Sequence, residues 1–332
     1  MASKKVYVWN CSEWLEIVSD FIDSSEFATR TYASTAYPNR NLIRNGVFNI
    51  WQRGTNLTLS ANGYKADGWY GSRGGDGANA PFFKWTTEVN GIPPTCLIMQ
   101  RYNGSSGEPI TAVQALESVD SRPLAGETVT LSYWAKHGSQ YSPTIKRMSV
   151  VVGTGTGTDQ AASNPAGWTG MATPINVWQS LTETWTRYTH TATLSATTNQ
   201  IYVRFDTGTF TGTASNWSDD VRITGVQLER GSYATPYEYK NYGQELRECQ
   251  RYFFKTATTS PIYINNGYGS EGYMAYQFPV TMRTSPVPTW GSTTQITNNQ
   301  LACTVDGVLG YVIANFGAGS VSMAGFEVTA EL

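Results

Sequence analysis

Short runs in which apolar and polar residues alternate recur along most of the chain, separated by glycine, proline, asparagine and serine. One such run places Leu131, Tyr133 and Ala135 on one face, and residues 201–205 repeat the pattern. A two-residue period is typical of strands with one buried face. The predicted strands are 46–51, 95–101, 111–118, 128–136, 147–152, 184–193, 200–206 and 221–229. About eight strands without a long helix predict a β-sandwich over residues 41–240.

The period changes once, in residues 241–254. Leu246, Cys249 and Phe253 follow one another at spacings of three and four, which predicts a short linking helix. The resulting apolar stripe is narrow, as in helices that associate in parallel. We therefore expect these three residues to form the seam of a homotrimer.

Residues 1–40 differ from the rest of the chain. The segment 6–17 reads VYVWNCSEWLEI, which fits either a helix or a hairpin that turns near Asn10. The β-branched and aromatic residues of its first part favour the hairpin. A polar, aperiodic linker that contains Pro38 follows. Forty residues are too few to bury their own core, so we expect a partner to cover Tyr7, Trp9 and Trp14.

Residues 255–332 return to short runs with proline and glycine, and predict a second, smaller β domain. Within it, residues 307–326 are apolar enough to suggest a membrane span. Their glycines and the alternation at both ends instead favour two strands around a turn. We expect no membrane insertion.

The overall composition narrows the classes of function. Of the 332 residues, 40% are hydrophobic and 14% are charged, which supports a sizeable core. The formal net charge is −2, from 23 basic and 25 acidic residues, so nothing attracts the protein to nucleic acid. The four cysteines are far apart and form no zinc-type pair, so we interpret them as reduced thiols of a protein made in a cytosol. We expect no cofactor and no metal.

Several stretches of the sequence resemble parts of phage tail fibre proteins. The first is NLIRNGVFNIWQRGT with the later GYKADGWY, which resembles the opening of a jelly-roll domain of such fibres. The stretch 223–253 resembles the last strand and exit helix of that domain, and 278–290 with the terminal FEVTAEL resembles the tip domain that follows it. The segment 6–17 is similar to virion-proximal hairpins of fibres. Two departures stand out: Gly68 where an arginine is expected, and Val47 in place of an acidic residue that can help bind calcium.

The resemblance implies a virion protein, synthesised in the host cytoplasm, that attaches a phage tail to a cell-surface polysaccharide. Residues 1–40 would bind a tail or baseplate protein, and the C-terminal tip would meet the host first. Tip residues with neutral amides and aromatic rings suit sugar hydroxyls and ring faces. The expected contacts are Asn265, Asn266, Tyr268, Tyr273, Trp290, Asn298 and Asn299, with the asparagines in loops. Three copies would add avidity, and salt would have little effect.

Three alternatives remain. Sugar binding by the side of the sandwich would use Trp168 and Trp217, which lie among loop residues. A structural adaptor of the virion would have no receptor contact at all. A glycan-degrading enzyme is disfavoured, because Asp219 and Asp220 are adjacent and no Gly-x-Ser-x-Gly motif occurs. We also expect Arg53 to pair with a carboxylate near the closing strand, such as Glu229.

Overall fold

The computed structural model describes residues 6–9, 14–17, 40–57, 62–73, 82–87, 89–101, 107–212, 218–256, 262–266, 271–290, 296–314, 319–323 and 326–332. The chain divides into two compact units, residues 1–40 and residues 41–332. The finer division predicted within the second unit, at residues 240 and 254, stays a prediction.

The first unit contains a β-hairpin. Strands β1 (Val6–Trp9) and β2 (Trp14–Ile17) pair antiparallel, with Trp9 opposite Trp14. Of the two structures left open by the sequence, the hairpin is confirmed.

Two antiparallel six-stranded sheets form the sandwich. Sheet 1 contains, in spatial order, β11 (Ala172–Ser180), β10 (Arg147–Gly155), β13 (Gln200–Thr207), β8 (Ile110–Ala115), β5 (Tyr70–Arg73) and β4 (Gly63–Tyr64). Sheet 2 contains β12 (Thr186–Thr193), β9 (Thr128–His137), β14 (Asp220–Arg230), β7 (Thr95–Gln100), β6 (Phe82–Thr86) and β3 (Asn56–Leu57).

Alternate side chains of both sheets meet in one apolar core. Leu131 and Tyr133 of β9 face Val203 and Phe205 of β13 in this core, and all four are fully buried. The rings of Tyr133 and Phe205 meet edge to face at 5.1 Å. The predicted all-β fold with a central sandwich of the jelly-roll kind is therefore confirmed.

The predicted strand at 46–51 is wrong. Residues 44–47 form a turn, and both Asn45 and Phe48 have positive φ angles, 52° and 55°. The Asn45 side chain holds this turn, because it accepts from the amide of Ile50 and donates to the carbonyls of Ile50 and Asp67. The turn directs Phe48 into the core against Trp69, 5.1 Å between ring centroids.

The predicted linking helix is α2 (Tyr242–Gln250), preceded by a one-turn helix α1 (Ser118–Ser121) and short 3₁₀ turns at Arg122–Leu124 and Pro165–Gly167. The Asn241 side chain caps α2 by accepting from the Gln244 amide at 2.9 Å. The helix ends before the predicted residue 254, because Phe253 already belongs to a strand.

Short strands make up the remainder of the second unit. They are β15 (Phe253–Lys255), β16 (Ile262–Asn266), β17 (Glu271–Gln277), β18 (Val287–Trp290), β19 (Ile296–Cys303), β20 (Gly307–Ala314), β21 (Gly319–Met323) and β22 (Phe326–Thr329). Three sheets result, in the orders β15-β22-β18, β17-β20-β19 and β16-β21. The apolar segment 307–326 thus contributes two strands, as predicted, although they join different sheets. Within the described residues, no helix has the length and apolarity of a membrane span.

Residues after α2, including the last residues of the chain, contact the sandwich. Arg251 contacts both carboxylate oxygens of Glu117, at 2.9 and 3.0 Å. Arg53 pairs with Glu331 at 3.1 Å and not with the expected Glu229, whose carboxylate is hydrogen-bonded by Thr235. Arg53 lies close to the chain's last residues because β22 carries them back past the sandwich.

Candidate functional site

The tip residues predicted to bind sugar lie in strands wherever the structure describes them. Asn265 and Asn266 belong to β16, and Asn298 and Asn299 belong to β19, so these asparagines are not in loops. Tyr273 is in β17, on the opposite side of β20 from Asn298 and Asn299. Trp290 is in β18, which belongs to another sheet, and Tyr268 lies outside the described residues. The tip site stays a prediction.

Trp168 does not fit the alternative sugar site on the sandwich. The side chain is 5% exposed, and its Nε1 donates to the carbonyl of Ala161 at 3.0 Å. Its ring meets Tyr202 edge to face at 5.0 Å. Trp168 is therefore a packing residue, and Trp217 lies outside the described residues.

The predicted trimer seam is largely used inside the chain. Cys249 and Phe253 are buried, while Leu246 is partly buried. Phe253 packs against Arg53, with 3.6 Å between the guanidinium carbon and the ring centroid. The stripe is therefore not a free seam, because most of it covers this chain's own core. The homotrimer itself stays a prediction, as does virion attachment through Tyr7, Trp9 and Trp14 of the N-terminal hairpin.

The carboxylates considered for catalysis are committed to arginines. Asp219 pairs with Arg101 at 3.0 Å and Asp220 pairs with Arg222 at 2.9 Å, and both carboxylates are buried. Asp219 also accepts from the Ser142 amide at 2.8 Å, so each carboxylate is held by different partners and the two do not form a pair around one substrate bond.

A polar surface covers part of the outward side of sheet 1. Met148 and Val150 of β10 point into the core, so Ser149 between them points outward. The same alternation turns Asp206 and Thr111 outward, on β13 and β8. We call this surface the platform, and define it by Ser72, Thr111, Ser149, Asn176, Trp178, Arg204 and Asp206. Ser149 is only 7% exposed, whereas Asn176 and Trp178 are exposed.

The strand register aligns the platform residues in rows. Trp178 is opposite Ser149, Ser149 is opposite Asp206, Asp206 is opposite Thr111, and Thr111 is opposite Ser72. This row crosses five strands, a width of about 19 Å. Such a width can accommodate a short oligomeric ligand lying across the strands.

The polar groups of the platform already form a network. Asp206 accepts from Thr111 Oγ1 at 2.7 Å through one carboxylate oxygen and from Arg204 Nε at 2.9 Å through the other. The Arg204 side chain is 30% exposed and that of Asp206 is 15% exposed. Because an ionised carboxylate has about four acceptor sites, Asp206 keeps capacity for further donors.

Trp178 supplies an apolar surface at the edge of the platform. The indole is 51% exposed, although the Arg147 guanidinium stacks on it at 4.3 Å from the ring centroid. A packed cluster that includes Trp168, Tyr202 and Leu332 covers the neighbouring part of sheet 1. That cluster gives the platform a raised border on one side.

Sequence reasoning missed this site, although a signal for it was present. In residues 174–180, Ile175 and Val177 alternate with Asn176 and Trp178, which is the pattern of a half-buried strand. Ile175 and Val177 pack on the core, so Asn176 and Trp178 face outward.

No family model matches the chain, and neither does any curated protein. Among solved structures, the enzymatically active domain of tailspike protein 4 from bacteriophage CBA120 is similar at 13% identity and a TM-score of 0.35, over 58% of this chain. The chain spans 22% of that structure's length. The carbohydrate-binding module TmCBM61, in complex with β-1,4-galactotriose, is similar at 11% identity and a TM-score of 0.34, over 58% of this chain and 99% of that one. A third structure, CBM4, has 16% identity and a TM-score of 0.34, over 57% and 99%. The β-sandwich assignment rests on the strand pairings and not on these likenesses.

Proposed function

We propose that this chain is a phage tail fibre protein that attaches the virion to a host cell-surface glycan by non-covalent binding. The half-exposed Trp178 beside the polar row of sheet 1 is the observation that carries the glycan part of this proposal. The phage part rests on the resemblance of the opening motif, the exit helix and the tip to fibre proteins.

The platform has the two kinds of group that sugar recognition needs. A pyranose ring has an apolar face that packs on an indole, and hydroxyls that both donate and accept hydrogen bonds. Trp178 offers the apolar surface, while Asn176 both donates and accepts. Arg204 and Asp206 add a donor and an acceptor whose charges offset one another. This chemistry suits a neutral glycan.

In this proposal the protein has no catalytic activity and works as a homotrimer. A single shallow platform would bind weakly, and three copies on one particle would raise the overall affinity through avidity. Residues 1–40 would anchor the trimer to a tail or baseplate protein of the virion. The tip, with Tyr273 and Trp290, is the competing location for the glycan contact.

Adsorption of the purified full-length protein to susceptible cells, and its inhibition of infection, tests the proposal. Trp178→Ala should weaken adsorption by about tenfold or more, as expected for loss of a central aromatic contact. Tyr233→Ala, which removes a ring that is also exposed, is the matched control and should adsorb normally.

The possible results distinguish binding by the platform, binding by the tip and a purely structural role. Normal adsorption by a folded Trp178→Ala variant would refute the platform as the contact. Loss in Trp290→Ala alone would move the contact to the tip. Wild-type protein that assembles into virions but neither adsorbs nor inhibits infection would support the structural adaptor instead.

A further inference from the structure

A second outward surface, on sheet 2, combines aromatic rings with positive charge. We call it the cationic face and define it by five residues: Trp134, Lys136, Trp185, Arg187 and Arg222. Leu131, Tyr133 and Ala135 of β9 are buried in the core, so Trp134 and Lys136 point to the other side of the sheet.

The register of sheet 2 brings the cations of this face together. Arg222 of β14 is directly opposite Lys136, and Arg187 of β12 is directly opposite Trp134. Opposed residues on one face of an antiparallel pair have Cβ atoms about 5 Å apart, and like charges placed so are destabilising. Lys136 and Arg222 therefore form an unfavourable pair unless negative charge is nearby.

The chain itself supplies only part of that negative charge. Asp220 contacts Arg222 through both carboxylate oxygens, at 2.9 and 3.1 Å. Among the described residues, Lys136 and Arg187 form no ion pair. Arg187 donates to two neutral oxygens, Ser132 Oγ at 3.1 Å and the Thr235 carbonyl. The neighbouring Glu229 carboxylate is engaged by Gln227 and Thr235.

One indole lies near the Lys136 ammonium group, and a second lies on the same face of β9. The Lys136 Nζ lies 6.0 Å from the ring centroid of Trp185. Trp134 lies against the backbone at Gly225, where φ is +59° and a Cβ would come within 3.1 Å of the indole. The ladder between β9 and β14 shifts register at this point. Bulges of this kind re-aim side chains and often lie beside functional sites.

We propose that the cationic face is a second binding site, and that its ligand is a pyranose that bears a carboxylate. The carboxylate would lie beside Lys136 and Arg222, where it offsets the Lys136 charge that Asp220 leaves uncompensated, and the ring would pack on Trp134 or Trp185. The face and the platform lie on opposite sides of the sandwich, so this site acts independently of the neutral-glycan contact.

Affinity electrophoresis of the full chain tests this site without any adsorption assay. The gels contain alginate, polygalacturonate or hyaluronan, and matched gels contain the carboxyl-reduced, neutral form of each polymer. At least one acidic polymer should retard the protein, and its neutral form should not. The retardation should weaken between about 0.1 M and about 1 M salt, because the Debye length falls from about 10 to about 3 Å.

Variants locate the site. Lys136→Gln should reduce affinity for the acidic polymer about fivefold, the effect of losing one partly exposed ion contact. Lys136→Arg should restore it, and Lys255→Gln, which changes a lysine of β15 paired with Glu327, should have no effect. Trp178→Ala should leave acidic binding unchanged. Thermal unfolding at the wild-type temperature confirms that each variant is folded. Absence of retardation by all three acidic polymers, or equal effects of Lys136→Gln and Lys255→Gln, would overturn the proposal.

Discussion

The ion pair between Glu117 and Arg251 joins the sandwich to the segment that follows α2, and its removal gives a sharp test of the structure. Glu117 Oε1 and Oε2 accept from Arg251 at 2.9 and 3.0 Å, and the Tyr252 hydroxyl donates to Oε1. Glu117 is buried, whereas the Arg251 side chain is 39% exposed. Breaking a fully buried pair costs about 3–5 kcal/mol, and the exposure of Arg251 reduces this to about 2 kcal/mol. Glu117→Gln should therefore lower the unfolding temperature by about 3 °C at neutral pH.

The pH dependence of the same variant provides a second check. Burial alone would raise the pKa of Glu117, but the hydrogen bonds from Arg251 and Tyr252 lower it below its ordinary value. A carboxyl group with a lowered folded pKa contributes stability above its unfolded pKa of about 4.3, and loses it as the pH falls through the folded pKa. The difference in unfolding free energy between wild type and Glu117→Gln should thus be full at pH 7 and vanish in acid. Urea denaturation of both proteins at pH 7 and at about pH 3 measures this difference. Glu127→Gln is the control, because Glu127 and Arg230 are 3.5 Å apart and both 46% exposed. Equal stabilities of wild type and Glu117→Gln at pH 7, or a difference unchanged in acid, would refute the reasoning.

Three further predictions concern packing, backbone strain and thiol chemistry. Phe205→Ala, which removes a fully buried ring between the sheets, should lower the unfolding free energy by about 3–5 kcal/mol in urea denaturation. Gly225→Ala should lower the unfolding free energy by about 2–4 kcal/mol, because φ is +59° and the new Cβ meets Pro93 at 3.0 Å. Gly212→Ala is the control: its φ is +65° but the Cβ meets open space, so the loss should be only about 1 kcal/mol. Burial raises the pKa of the Cys96 thiol to about 12 and that of Cys249 well above its usual value, so neither should react with iodoacetamide at about pH 8 until the protein unfolds, as peptide mapping would show.

The fold class could be predicted from the sequence because, in most strands of this chain, the residues that alternate as apolar are also the buried ones. Where apolar residues alternate without interruption, as in β9 and β13, the predicted and observed strands agree closely. The prediction failed at 46–51, where apolar residues are just as frequent. There the side chain of Asn45 replaces a neighbouring strand as hydrogen-bond partner, and periodicity does not register such local bonds.

Contacts between residues far apart in the sequence were the second limit on prediction. Arg53 and Glu331 are 278 residues apart, and no local pattern connects them. The same holds for the apolar stripe of α2. Leu246, Cys249 and Phe253 repeat as a helix seam would, yet two of the three cover this chain's own core. A stripe in a sequence shows that a surface will be covered, but not whether the cover comes from the same chain or another copy.

The tryptophans show why the site was harder to predict than the fold. The sequence places Trp134 in an alternating run and Trp168 among loop residues, but it does not show which of Trp134, Trp168 and Trp178 is covered in the fold. Their roles differ because alternation along a strand sets the face of the sheet on which a side chain lies, and because other residues cover some of these side chains. Trp168 is closed in by Ala161 and Tyr202, whereas Trp178 has the parity of Asn176 and stays half-exposed. Trp134 shares a face with Lys136 for the same reason.

The alternation of side chains along the strands also gives the two outward faces of the sandwich different chemistry. The platform places Arg204 beside Asp206 on one strand, so its charges are offset and hydroxyl-bearing neutral ligands suit it. The cationic face places Lys136 opposite Arg222, and only Arg222 has a carboxylate partner among the described residues. A ligand held by the platform should therefore bind almost independently of salt, whereas one held by the cationic face should not. Because the faces are back to back, a polysaccharide with both neutral and acidic units would have to engage them through separate segments, so loss of one face should leave binding at the other intact.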